Sequence, residues 1–189
     1  MLEYISGKLA SLTAANAVVD CGGVGYLLEI SLNTYSAIQS QTEVRLWVHE
    51  VIREDAYQLY GFNTLAERDM FRLLLGVNGV GAATARMMLS SLSVDELTSA
   101  IAQQDDKMLK RVKGIGAKTA QRIVLELQDK VSGTAHATSL SVPVSQNKQE
   151  ALSALVMLGF PKPAADKVLQ TLDATLTVEE LIKQALQKL

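Results

Sequence analysis

Laid against itself with an offset of 35 residues, the chain repeats one heptapeptide. Gly79-Val-Gly-Ala-Ala-Thr-Ala and Gly114-Ile-Gly-Ala-Lys-Thr-Ala agree at five of seven positions. Helical periodicity precedes and follows each copy, so each reads as helix, Gly-apolar-Gly hairpin, helix. Glycine lets the backbone approach a ligand closely, and the apolar residue, Val80 or Ile115, anchors the hairpin in a core. The second helix of each unit begins with N–H groups that have no intrahelical partner, and such an end attracts anions. The backbone-binding residues expected from this pattern are Gly79, Val80, Gly81 and Thr84 in the first copy. In the second they are Gly114, Ile115, Gly116, Lys118, Thr119 and Arg122. Thr84 and Thr119 read equally as hydroxyl donors or as buried helical threonines.

Charge singles out the same region. Residues 1–62 hold three cations against seven anions, residues 63–133 ten against eight, and residues 134–189 five against five. The net charge of −2 argues against a diffuse positive field over the whole protein. The window from Lys107 to Arg122, however, carries six cations (Lys107, Lys110, Arg111, Lys113, Lys118, Arg122) and no acid. It is the expected anion grip.

The rest of the 189 residues divides by period. Residues 1–62 read as five short strands with a glycine-rich turn at Gly22-Gly-Val-Gly, which suggests a small OB-like β-barrel with hidden sheet edges. From Thr64 the period is helical, with capping-box patterns at Thr64-x-x-Glu67 and Ser93-x-x-Glu96. Residues 63–131 form the expected all-α hairpin domain, residues 132–146 an expected flexible linker of small polar residues, and residues 147–189 a three-helix module closed by Gly159 and capped at Thr177-x-x-Glu180. The fold class is α+β and multidomain. Domains this small sit near the limit of independent stability, which makes self-association plausible.

Several chemistries are excluded. One cysteine, Cys21, and two histidines, His49 and His136, leave no disulfide framework, no Cys-x-x-Cys site and no His-rich metal site. A phosphate loop needs glycine before the lysine of Gly114-Ile-Gly-Ala-Lys-Thr, and that residue is Ala117; a dinucleotide fingerprint needs glycine at 84 or 119, and both are threonine. No catalytic set of Ser, His and Asp and no carboxylate cluster for Mg²⁺ stands out, so a nuclease is disfavoured. No cofactor or metal is expected. The N-terminus lacks a secretory pattern and no run of 18 apolar residues occurs, so a reducing cytoplasmic setting is the default and no membrane association is expected. Glu54 and Asp55 project from an apparent hairpin tip between apolar strands; taken alone they read as a solvated turn.

Paired Gly-x-Gly-Ala-x-Thr-Ala units resemble helix-hairpin-helix motifs, which hold DNA backbones without reading sequence. Together with Val51-Ile-Arg-Glu-Asp-Ala-Tyr-Gln-Leu-Tyr-Gly-Phe62, the turn at 22–26 and Ala154-Leu-Val-Met-Leu-Gly-Phe160, all in the same order, they make essentially the whole chain similar to the RuvA family of bacterial Holliday-junction proteins.

The resemblance implies an OB-like barrel, a tandem helix-hairpin-helix domain and a C-terminal module resembling ubiquitin-associated domains. It implies a homotetramer on four-way junction DNA, with an octamer left open. It further implies no catalysis by this chain itself, recruitment of the hexameric ATPase RuvB for branch migration in recombination, DNA repair and fork reversal, and in some bacteria a resolving nuclease, RuvC. Glu54 and Asp55 match the family's acidic pin at the crossover. Leu155, Leu158, Phe160 and Leu186 match the motor-docking face, although each also reads as core. Where the family commonly has Pro-Lys after the second glycine of the first hairpin, this chain has Ala82-Ala83. The second hairpin is therefore expected to contribute more affinity. The competing readings are a general helix-hairpin-helix repair scaffold without junction preference and an interaction scaffold that never meets DNA.

Overall fold

The computed structural model describes residues 1–134, 143–173 and 176–189. It divides into two compact units, Met1–His136 and Ala137–Leu189.

The first unit opens with strands β1 (Tyr4–Leu12), β2 (Asn16–Cys21), β3 (Val24–Ile30), β4 (Glu43–Ile52) and β5 (Tyr57–Phe62), closed into a barrel in the order β1-β2-β3-β5-β4. Every pairing is antiparallel except β3 with β5, which is parallel and short, covering Glu29↔Tyr60 and Ile30↔Gly61. Alternation fills the interior: Val44, Leu46 and Val48 of β4 join Ile5, Val19, Leu28 and Ile30 in one buried cluster. Gly7 and Gly61 are required by crowding, since a Cβ on Gly7 would lie 2.2 Å from the Asp20 carbonyl oxygen and one on Gly61 3.1 Å from the Cβ of Leu28. A helix α1 (Leu32–Ile38), capped by Ser31, links β3 to β4.

Helices α2 (Leu65–Leu75), α3 (Ala82–Ser91), α4 (Val94–Ala102), α5 (Asp106–Lys110) and α6 (Ala117–Thr134) follow. They pack on the barrel through a shared core. Phe71 of α2 lies 4.9 Å from the ring of Phe62 and 5.0 Å from that of Tyr60. Two polar ties accompany this core. Buried Arg68 pairs with Glu3 at 2.5 Å while its guanidinium lies 5.4 Å from the Trp47 ring. Buried Glu67 accepts from the hydroxyls of Ser31 and Thr34, the latter at 2.7 Å. Burial pushes the Glu67 carboxyl above the ordinary carboxylate range, against the lowering effect of those hydrogen bonds. The barrel and the helices thus complete one another, which answers the marginal size of each.

The second unit holds α7 (Pro143–Met157), α8 (Lys162–Gln170) and α9 (Val178–Leu186) around Ala151, Leu155, Ala165, Leu169, Leu172, Leu181 and Ala185. Gly159 takes φ +98° between α7 and α8, and Thr177 with Glu180 forms a capping box. The expected linker is helical at both ends, since α6 runs to Thr134 and α7 starts at Pro143. Residues 135–142 of that stretch lie outside the described residues.

Candidate nucleic-acid interface

The two hairpins superimpose bond for bond on the 35-residue offset. In the first, Val77 N donates to Leu74 O (3.1 Å), Val80 N to Val77 O (3.0 Å) and Ala85 N to Gly81 O (2.9 Å). In the second, Val112 N donates to Leu109 O (3.1 Å), Ile115 N to Val112 O (3.1 Å) and Ala120 N to Gly116 O (2.9 Å). Gly79 and Gly114 take φ +91° and +93°, the left-handed region that a side chain would strain. Val80 and Ile115 are buried. With their side chains in the core and their N–H groups bonded inside the hairpin, these two residues hold the loop in shape and offer no donor to a ligand.

What the hairpins do offer is the start of α3 and α6. Helices α1, α2, α4, α5 and α9 each begin with a side chain that accepts a first-turn N–H. Helix α3 begins at Gly81 with no side-chain cap, and α6 follows Gly116, which has no side chain to give. The first-turn N–H groups of α3 and α6 therefore point outward as free donors at the positive end of the helix dipole. Lys118 is exposed in the first turn of α6, while Thr84 and Thr119 are half-buried one turn in.

Arg122 departs from its expected place. Its Nη1 donates to Asn78 O at 2.9 Å, crossing from α6 to the loop of the first hairpin, and it lies 3.9 Å from where a Cβ on Gly79 would stand. Its Nε is 3.9 Å from Glu126. The guanidinium thus sits at the first hairpin, where Ala82 and Ala83 supply no cation, rather than beside the second alone. Asn78 is the residue that sequence reasoning left without a role; its carbonyl is a backbone group with no signature in residue type.

Glu54 and Asp55 are exposed at the β4–β5 tip, which Arg53 N closes onto Ala56 O at 2.8 Å. In the C-terminal module the expected docking residues separate. Leu155 is fully buried and belongs to the core, Phe160 packs partly against it, and Leu158 and Leu186 are exposed at 62% and 44%. Leu155 is thus corrected from docking residue to core residue, because it faces inward on α7. Met157, 89% exposed, lies beside Leu158 and was missed because a methionine next to core leucines reads as core. No group of three or more metal-ligating side chains occurs among the described residues, and no helix there is long and apolar enough to cross a membrane.

Profiles of known families match this architecture part by part: the RuvA N terminal domain over residues 1–61, a SAM-like helix-hairpin-helix tandem over 71–129 and the RuvA C-terminal domain over 146–189. Curated relatives align end to end. Proteins named Holliday junction branch migration complex subunit RuvA are 47% identical in Bacteroides thetaiotaomicron, 45% in Bacteroides fragilis and 46% in Christiangramia forsetii, each covering 100% of both chains. The chain belongs to the RuvA family. Within it, the barrel, the paired hairpins and the C-terminal helices stand in the expected order.

Proposed function

We propose that this protein is the non-catalytic, junction-binding subunit of a branch-migration complex. It holds four-way DNA and hands it to a RuvB-type ATPase. The observation that carries this reading is the pair of matched hairpins with uncapped helix starts joined by Arg122, within a chain aligned end to end with junction-binding relatives. Each hairpin takes one stretch of DNA backbone through Gly79, Gly81 and Thr84 or Gly114, Gly116, Lys118 and Thr119, with Arg122 shared between them. Such contacts are blind to sequence and respond to the spacing of phosphates.

Four copies place eight hairpins around the crossover, so a homotetramer matches the four arms of an open junction. Glu54 and Asp55 then face the point where strands exchange. A carboxylate about 4 Å from a phosphate costs about 4 kcal/mol at an effective dielectric of 20, against about 1.4 kcal/mol for one stacking step. The pins bias the centre toward separated strands and against continuous duplex. The exposed Met157, Leu158 and Leu186, with Phe160 at their edge, form the face that docks on the motor. A RuvC-type resolvase shares the same junction where the cell has one, and the whole assembly works on cytoplasmic DNA.

The test is reconstitution with purified RuvB, ATP and a synthetic junction. Junction unwinding that needs both proteins supports the reading. Unwinding by RuvB that ignores this chain at every concentration sinks it.

A further inference from the structure

The parallel pairing of β3 with β5 covers only two residue pairs, and upstream of it the strands splay. Between them lies a groove of about 310 Å³, walled by Tyr26, Leu27, Tyr57 and Leu59, with Glu29 and Gln58 at its polar side. This volume is at the low end of the roughly 300–1,000 Å³ of small-molecule sites, enough for one planar ring system. Tyr57 is 59% exposed yet fixed, because its hydroxyl donates to Glu50 Oε1 at 2.8 Å. Leu27 is equally exposed at 59%. The Gln58 amide donates to Glu29 Oε1 at 3.0 Å, and Glu29 is held in turn by Arg86 at 3.0 Å. Glu29 thereby orients the amide, whose second N–H and carbonyl remain a donor–acceptor pair of the kind that matches a nucleobase edge.

The groove lies two residues along the chain from Asp55. We propose that it receives a single unpaired nucleobase displaced from the DNA at the branch point, stacked on Tyr57 and met at its edge by Gln58. Charge selects this occupant. Glu29, Glu50, Glu54 and Asp55 surround the site with carboxylates, so a free nucleotide's phosphate is repelled while a neutral base, held by a strand whose phosphates stay at the hairpins, is not. Stacking on an exposed aromatic is the common grip on an unpaired base, worth about 1–3 kcal/mol.

This inference rests on the junction-binding reading, and the experiment separates the two. A four-way junction carrying 5-iodouracil at the crossover is bound by the full chain without ATP, irradiated, and the cross-linked residue mapped by mass spectrometry, with retention of the junction scored in parallel. The expected result is attachment at Tyr57 or Tyr26, lost at least tenfold in Tyr57→Ser and kept in Tyr57→Phe, with junction retention intact in all three proteins. A retained junction that cross-links elsewhere, or equally in Tyr57→Ser, overturns the base site and leaves the junction reading standing. Cross-linking of Tyr57 to a second copy of the chain also overturns it. A junction that is not retained at all overturns both.

Discussion

The guanidinium of Arg122 donates to the carbonyl oxygen of Asn78 at 2.9 Å, fastening the helix of the second hairpin to the loop of the first. One cation thereby serves two backbone sites. The first hairpin, which has alanines at 82 and 83, borrows its positive charge from α6.

Arg122→Gln should consequently weaken junction binding more than Lys118→Gln does. Loss of one phosphate contact lowers the slope of log affinity against log salt by about 0.9. Because Arg122 also orders the first hairpin, its variant should lose at least tenfold in affinity, about 1.4 kcal/mol. Fluorescence anisotropy across a salt series reads both quantities, and equal losses in the two variants would show that Arg122 serves a single site.

Gly114→Ala places a side chain at φ +93°. The strain of a left-handed residue is about 1–2 kcal/mol, and the hairpin relieves it by shifting. Junction affinity should fall while the melting temperature drops by only a few degrees. An unaltered affinity would mean that the loop geometry is not what the DNA uses.

Neutralising the tip with Glu54→Gln and Asp55→Asn should strengthen binding to linear duplex and shrink the margin between junction and duplex. Both side chains are exposed, so folding is unaffected. Competition titration measures the margin, and an unchanged value would deny the acids any part in selectivity.

Glu67 makes stability depend on pH in the sense opposite to a paired surface carboxylate. Burial raises its pKa above the ordinary 4.5, so the folded state holds the proton more tightly than the unfolded one. The cost of ionising it is absent below the ordinary value and grows as pH rises through the raised one. Relative to wild type, Glu67→Gln should be more stable at about pH 8 than at about pH 5. Urea unfolding at both values checks this, and a difference that does not change with pH would show that Glu67 is not desolvated.

Met157→Arg and Leu158→Arg should abolish capture of RuvB while leaving the circular-dichroism melt and junction binding unchanged. Leu155→Arg should unfold the module, since it buries a charge in its core. Retained capture by the exposed-face variants would move the docking surface elsewhere.

Much of this was legible in residue order. The hairpin repeat, the strand-to-helix change near Thr64 and the caps at Ser93 and Thr177 are local signals, and the structure follows them. What escaped is non-local. The side chain of Glu67 follows a capping-box pattern with Thr64, yet it turns instead to Ser31 and Thr34 on α1, a helix of seven residues too short to show a period. Leu155 and Leu158 are both leucines near the end of α7, and only the packing of α8 and α9 decides which is core. Arg122 lies 44 residues from Asn78, so no spacing rule joins them.

The central claim is most directly tested by gel-shift comparison of a synthetic four-way junction with linear duplex of equal length, without ATP, across a salt series and with excess duplex competitor. The account predicts a junction complex that survives the competitor and weakens steeply with salt. Equal affinity for the two DNAs would contradict it, leaving the paired hairpins as a general grip on duplex.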